Sequence, residues 1–113
     1  MKINIFDKDR VLDGDLKDLI ERRLLSAVGR FQQLLGEVNV LVRDENGPRG
    51  GVDKTLRLNA MLIHGEQIVI SDQDQDVATA IARAADRLAR TLVRRIELLR
   101  EGRHEIDSSL SKF

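Results

Sequence analysis

Residues 71–101 read SDQDQDVATAIARAADRLARTLVRRIELLRE. Apolar residues recur through this stretch at intervals of three and four, which at 3.6 residues per turn places them on one side of a helix. The stretch therefore predicts a long amphipathic helix that covers a sheet. Its apolar stripe consists of Val77, Ile81, Ala84, Leu88, Leu92, Ile96 and Leu99.

The residues before this stripe indicate where the helix begins. Ser71 and Asp72 are suitable N-cap residues, because their side-chain oxygens can accept hydrogen bonds from the first backbone N–H groups of a helix. Asp74 and Asp76 would place negative charge at the positive end of the helix dipole. The predicted helix is thus acidic at its entry and basic along its body.

The side of the helix opposite the stripe is rich in arginine. Four arginines repeat at intervals of four, three and four, which predicts a ridge of guanidinium groups that points away from the core. This arginine ridge consists of Arg83, Arg87, Arg90 and Arg94, with Arg95 and Arg100 beside it.

The charge of this side bears on whether it is a solvated helix face or a surface that binds phosphate. Residues 77–103 hold seven arginines and three acids, and only Asp86 with Arg90 has the favourable acid-first spacing of four residues. A face that serves solubility alone usually mixes the two signs more evenly. The excess of arginine favours a surface that binds phosphate over a merely solvated one.

Composition limits the remaining possibilities. The 113 residues are enough for one domain with a modest core, which Leu, Ile, Val and Ala must supply because the only aromatic residues are three Phe. With no cysteine, no signal-peptide pattern and no apolar run long enough for a membrane helix, we expect a cytoplasmic protein. The formal net charge is zero, yet 14 of the 19 basic residues are Arg, so their distribution matters more than the sum.

The N-terminal part predicts a strand followed by a helix. Residues 2–6 alternate between polar and apolar side chains, as a short strand does. Asp13 is a suitable cap for a helix over residues 16–35, whose flank would carry Arg23 and Arg30. Gly29, in the middle of this helix, either permits close approach of a partner or is simply tolerated.

Two further strands surround a glycine-rich turn. Val38, Val40 and Val42 alternate with other residues in the clearest strand pattern of the chain. Residues 44–51, DENGPRGG, lack the spacing of a Walker loop and form either a flexible hairpin tip or a loop whose amides, with Arg49, bind phosphate. Residues 53–63 predict the next strand, with Leu56, Leu58, Ala60 and Leu62 on its buried face.

A short turn at residues 64–66 leads into a last strand over residues 67–70. The element order is therefore β-α-β-β-β-α, which predicts an α+β fold with a four-stranded sheet and two helices packed on one face. His64 and His104 are far apart in the sequence, so we expect no metal site, no catalytic residues and no cofactor. We assign residues 1–101 to the domain and residues 102–113 to a flexible C-terminal tail.

At this point the sequence resembles the ribosome hibernation promoting factor family, whose short members are also described as ribosome-associated inhibitors. The resemblance extends from about Lys2 to Glu101 and rests on the element order and two stretches. One is NGPRGGVDK at residues 46–54, which is similar to the loop and strand of a bacterial subgroup. The other comprises residues 77–81, VATAI, and residues 86–94, DRLARTLVR, which are similar to the second helix of the family.

The resemblance implies a non-enzymatic, ribosome-binding regulator of translation that acts during stress or slow growth. Such a protein docks on the small ribosomal subunit in the channel used by mRNA and tRNA, and its helices contact 16S rRNA. Ser26 stands at one basic position of the family, where Arg22 could compensate. Together with the ridge, the resemblance predicts an rRNA-binding set of Arg22, Arg23, Arg30, Arg83, Arg87, Arg90, Arg94 and Arg95, with possible loop contacts from Arg49 and Lys54.

Two features differ from the family. Its ribosome-binding members are more basic on the helical surface, so the zero net charge predicts weaker or more salt-sensitive binding here. Its long members also carry a C-terminal domain that pairs two ribosomes, which we do not expect in this chain. We expect neither a membrane partner nor a small-molecule substrate. The alternative function is a protein-interaction or stress-regulatory module that uses the fold without ribosome binding.

Overall fold

The structure is a computed structural model that describes residues 1–44 and 54–110, and for residues 101–110 it describes the backbone alone. The predicted α+β fold and its element order are confirmed. A 3-10 turn, Gly29–Phe31, follows the first helix. The strands and helices in chain order are β1 (Lys2–Asp7), α1 (Gly14–Val28), β2 (Leu35–Asp44), β3 (Lys54–Leu62), β4 (Gln67–Asp74) and α2 (Val77–Leu110).

The four strands form one mixed sheet in the order β1-β2-β3-β4. Strand β1 runs parallel to β2, whereas β2 with β3 and β3 with β4 are antiparallel. A parallel pair needs a crossover connection, and α1 supplies it. Strands β1 and β4 therefore form the two edges of the sheet.

The core lies between one face of the sheet and the two helices. Alternation along the strands sends every second side chain to this face, as predicted for Val38, Val40 and Val42. On β3 the predicted buried face of Leu56, Leu58, Ala60 and Leu62 is also confirmed. The helices contribute their own apolar sides, which include Ile20, Leu24, Val28, Ile81, Ala84, Leu88 and Leu92.

The first helix is shorter than predicted. Asp13 caps it as expected, because its Oδ1 accepts a hydrogen bond from the Leu16 backbone N–H at 2.8 Å. The helix ends at Val28, however, and Gly29 begins the 3-10 turn. The prediction of a helix up to Leu35 is wrong, since Leu35 opens β2 and is buried there. The predicted apolar face of this helix included Phe31 and Leu35, whose spacing of four residues matches the helical period only by coincidence.

The second helix begins later than predicted. Ser71 and Asp72 are not N-cap residues but belong to β4, because β3 is long enough to pair with residues up to Asp74. Asp76 precedes the helix instead, and its carboxylate accepts from the Ala78 backbone N–H at 3.1 Å and the Thr79 hydroxyl at 3.0 Å. The residue that caps α2 therefore lies four positions after Asp72 in the sequence.

The far end of α2 runs beyond the sheet. The predicted stripe is buried from Val77 to Leu92, Ile96 is half-buried, and Leu99 is exposed. The helix reaches Leu110, past its predicted end at residue 101, and the flexibility of residues 102–113 stays a prediction. In the part of the chain that the structure describes, no helix combines the length and apolar character needed to cross a membrane.

Candidate nucleic-acid interface

The two helices meet along small residues. Ala85 and Ala89 of α2 are buried on the side of that helix that faces α1, and Ala27 of α1 is half-buried. Alanine leaves little side chain between two helices, so a shallow groove of about 530 Å³ opens above the contact. Its lining residues are Arg23, Ser26, Ala27, Arg30, Ala82, Arg83, Ala85, Asp86 and Ala89.

A second depression of about 400 Å³ shares residues with this groove. It is lined by Arg30, Asp86, Ala89, Arg90, Val93, Arg94 and Glu97. Two arginines from the α1 segment thus lie along the same surface as two from α2, although they are far apart in sequence. We call this surface the arginine groove, defined by Arg23, Arg30, Arg90 and Arg94.

The arginine groove holds few acids within it. Arg90 lies 3.7 Å from Asp86, the one favourable pair predicted from the sequence, but both side chains are more than 70% exposed. Such an exposed pair contributes only about 0.3–0.5 kcal/mol to stability. Arg94 forms no ion pair with any residue that the structure describes. These two guanidinium groups can therefore bind an anion without first breaking a strong intramolecular contact.

Arg30 is oriented by an aromatic neighbour. Its guanidinium carbon lies 4.8 Å from the centroid of the Phe31 ring, within the range of a cation–π contact. The 3-10 turn that replaces the end of the predicted helix creates this arrangement. The sequence analysis missed Phe31 as a positioning residue, because it assigned Phe31 to the apolar face of a continuous helix.

Arg83 is held in an ion-pair cluster. Its Nε and Nη2 donate to the two carboxylate oxygens of Asp72, each at 3.0 Å, and Nη2 also donates to Asp74 Oδ2 at 3.0 Å. A further hydrogen bond of 3.2 Å joins Nη2 to the backbone oxygen of Gln73. This bidentate geometry is the strong form of an Arg–carboxylate contact. Arg83 therefore ties α2 to the edge strand β4.

The cluster shifts the pKa values of its members. The hydrogen bond from Arg83 holds the pKa of Asp72 below its usual value of 3.8, and the hydrogen bond to Asp72 raises the pKa of Arg83. The pKa of Asp74 is also lowered, first by the backbone N–H of Asp76 and then by Arg83. Each group is thus stabilised in its charged form.

Two more arginines of α2 reach the same side. Arg87 Nη1 donates to the backbone oxygen of Ser71 at 2.9 Å, and Arg95 Nη1 binds Glu66 Oε2 at 2.9 Å. All four ridge residues are exposed on the side of α2 away from the core, as predicted, but Arg83 and Arg87 also bind atoms of β4. Asp72, Asp74 and the backbone oxygen of Ser71 are the physical reason, because they lie within reach of these two side chains.

The remaining predicted contacts lie elsewhere. Arg22 is on the outer face of α1, where it shares a depression with Asp15, Asp18, Glu21 and Leu25. Lys54 begins β3 and is paired in register with Asp44 and Asp74. Arg49 lies outside the described residues, as do all of residues 45–53, which include the glycine-rich turn except Asp44.

The structure gives no sign of a metal centre in the residues it describes, since they contain no group of three His, Asp or Glu that could hold a metal ion. His64 lies exposed in the turn between β3 and β4.

Comparison with known proteins identifies relatives of this fold. The model of a family described as "Sigma 54 modulation protein / S30EA ribosomal protein" matches residues 3–100. A ribosomal subunit interface protein from Coxiella burnetii has a similar structure, with a TM-score of 0.71 and 15% identity over 86% of this chain and 99% of that one. The N-terminal domain of Thermus thermophilus Protein Y has a TM-score of 0.67 and 22% identity over 83% of this chain and 98% of that one. No curated protein matches the sequence.

Proposed function

Because the chain belongs to the Sigma 54 modulation protein / S30EA ribosomal protein family, we propose that it is a ribosome-binding hibernation factor. In this proposal the protein docks on the small subunit in the channel used by mRNA and tRNA, and it inhibits translation by occupying that channel. It does so without catalysis. The partner surface is the phosphate backbone of 16S rRNA.

The observation that carries this proposal is the arginine groove. Structured RNA is recognised largely by its shape and its phosphates, and guanidinium groups bind phosphate in a bidentate manner. Two helices that each contribute arginines to one surface can follow an irregular backbone better than a single row can. The groove thus offers an array of charges that matches the chemistry of rRNA.

The paired arginines receive a different role in the proposal. Arg83 and Arg95 are already bound to carboxylates, so binding phosphate would require them to give up these partners. We assign them to the attachment of α2 to the sheet. Arg87 is intermediate, because its partner is a neutral backbone oxygen, and it can exchange that oxygen for phosphate. Arg22 is left out of the proposed surface because acids surround it.

The experiment is co-sedimentation of the purified protein with bacterial small subunits and with whole ribosomes over a series of salt concentrations. We expect saturable, stoichiometric binding that weakens steeply with salt, since phosphate contacts release counterions. Addition of mRNA and tRNA to the small subunits should displace the protein if it occupies their channel. A purified acidic protein of similar size serves as the negative control.

Two results would contradict the proposal in different ways. If no protein sediments with either particle at low salt, ribosome binding itself is wrong, and the alternative of a protein-interaction module should be tested. If the protein binds but mRNA and tRNA do not compete, only the channel is wrong. A variant with Arg87, Arg90 and Arg94 replaced by Ala should fold and fail to bind.

A further inference from the structure

The face of the sheet opposite the helices carries a second potential binding surface. Side chains alternate along each strand, so the residues between the buried ones point to this outer face. Phe6 and Val69 are both more than half exposed there, and contiguous apolar surface that stays exposed often marks a binding site. Leu41 and Met61 are half-buried on the same face.

Strand register places these residues in rows across the sheet. Phe6 is paired with Leu41, Leu41 with Arg57, and Arg57 with Ser71. Neighbouring strands are about 4.8 Å apart, so this row extends across about 14 Å. An exposed aromatic ring, an aliphatic side chain, a guanidinium group and a hydroxyl therefore follow one another in a line.

The adjacent row is polar. It contains Asn4, Asn39 and Asn59, which are paired in register across three strands, and then Val69. Asn4 Nδ2 donates to Asn39 Oδ1 at 2.9 Å and also to the Glu37 carboxylate. On the other side, Gln67 Nε2 donates to Asn59 Oδ1 at 2.6 Å. These bonds orient the amides of Asn39 and Asn59 through their Oδ1 atoms. Their Nδ2 groups donate to none of the described residues.

The outer face is also positively charged. Lys2 and Arg57 are exposed and form no ion pair with the described residues, whereas Arg43 lies 3.9 Å from Asp9. The acid among the outward-facing strand residues is Glu37, which accepts from Asn4. In a chain whose formal net charge is zero, this face thus has an excess of positive charge.

From this arrangement we propose that the outer face of the sheet binds unpaired nucleotides of single-stranded RNA. A base can stack on Phe6, its edge can accept from the amides of Asn39 or Asn59, and its phosphate can bind Arg57 or Lys2. Stacking on aromatic side chains and hydrogen bonding to exposed base edges are the general means by which sheets recognise single-stranded RNA. The proposal adds a second RNA surface, opposite the arginine groove, and does not depend on ribosome docking.

A protein helix fits this surface less well than a base. Its apolar side would cover the amide row together with Phe6 and Leu41, and would leave the donors of Asn39 and Asn59 buried without partners. A nucleobase presents a flat apolar face and a hydrogen-bonding edge at the same time, so it satisfies both rows. The phosphate supplies the negatively charged partner that Arg57 does not have among the described residues.

The test uses fluorescein-labelled decauridine and decaadenosine RNA with the full-length protein, measured by fluorescence anisotropy, and ¹⁵N chemical shifts to locate the contact. We expect saturable binding with the largest shifts at Phe6, Leu41, Arg57 and Val69. Phe6→Ala should weaken binding by about 10-fold or more, because it removes the ring on which a base stacks. Phe6→Tyr keeps the ring and should bind like the unchanged protein.

Leu25→Ala is the matched control, because Leu25 is 53% exposed on the outer face of α1 and Phe6 is 54% exposed. It should leave RNA binding unchanged. Circular dichroism of each variant establishes that the fold is retained. Shifts confined to α1 and α2, or equal affinities for the Phe6→Ala variant and the unchanged protein, would overturn the proposal. So would decaglutamate if it bound the same residues as tightly as the RNA, since the surface would then favour acidic protein.

Discussion

The arginine groove makes a quantitative prediction for the double variant Arg90→Ala/Arg94→Ala. Both side chains are exposed, and the ion pair that the variant removes among the described residues is the long one between Arg90 and Asp86. The free energy of unfolding should therefore fall by no more than about 0.5 kcal/mol. For a domain of this size, that corresponds to a decrease in Tm of about 2–4 °C. Because the folded state is so little destabilised, a loss of ribosome binding in this variant would come from lost contacts at the interface and not from unfolding.

The expected decrease in affinity follows from counterion release. If each arginine neutralises one phosphate, the slope of log K against log salt should become less steep by about 0.9 per contact, or about 1.8 for the pair. Between about 50 and 200 mM salt, a fourfold change, these two contacts account for about a 12-fold difference in affinity. The variant should thus bind more weakly at low salt, and its affinity should decline less as salt increases.

The assay is titration of fluorescently labelled protein against small ribosomal subunits at five salt concentrations. Lys8→Ala/Arg22→Ala is the charge-matched control, since it also removes two positive charges but from exposed positions outside the groove. It should change the slope by much less than the groove variant. If the two variants had equal slopes, binding would depend on net charge alone, and the groove would have no particular role.

Three further predictions concern the fold. Leu88→Ala removes a fully buried side chain between α2 and the sheet and should cost about 2–5 kcal/mol, which differential scanning calorimetry should show as a Tm at least about 8 °C lower. Asp13→Ala removes the cap of α1 and should cost about 0.5–2 kcal/mol in urea unfolding, whereas Asp13→Asn should restore most of it. Asp72→Asn should lower stability at pH 7 and have a progressively smaller effect as the pH falls from 3.8, because the lowered pKa of Asp72 stabilises the fold only while the carboxylate is charged. Urea unfolding of the Asp72→Asn variant and the unchanged protein from neutral to strongly acidic pH measures this difference, and a difference that persisted after the carboxylate is protonated would exclude the ionic contact as its cause.

Regular patterns were the part of the fold that the sequence revealed. Alternation in β2 and β3 and the three-and-four spacing in α2 each follow from the geometry of a single element, so they could be recognised without knowledge of the partner. The residue at which a strand or helix ends depends also on the neighbouring strands and helices that it contacts. Residues 71–74 became strand because β3 provides hydrogen-bonding partners, and this could not be inferred from the residues themselves.

The site was predictable to a similar degree. The spacing of the arginines correctly identified a basic side of α2, but spacing alone cannot tell which guanidinium groups have partners in space. The partners of Arg83 and Arg95 are acids of β4 and the turn before it, which become neighbours only after the sheet has formed. The sequence pattern predicts Asp72 as a helix N-cap and Asp74 as a negative charge at the positive end of the helix dipole, which are equally reasonable roles for carboxylates before a helix.

The position of these acids bears on the zero net charge, from which we predicted weaker binding. Asp72, Asp74 and Glu66 lie on the β4 side of α2, where Arg83 and Arg95, which are not among the four arginines that define the arginine groove, already neutralise them. The acids of α1 lie on its outer face around Arg22. The molecule is 24 Å and 19 Å across its shorter axes, whereas salt at physiological concentration screens exposed charges beyond about 8 Å. Acids that are already ion-paired, and acids on the outer face of α1, therefore cancel less of the field of the arginine groove than the zero net charge suggests. A neutral protein can in this way bind phosphate at particular surfaces while its acidic regions do not attract nucleic acid, so we expect its preference for the ribosome over duplex DNA to exceed that of a uniformly basic protein.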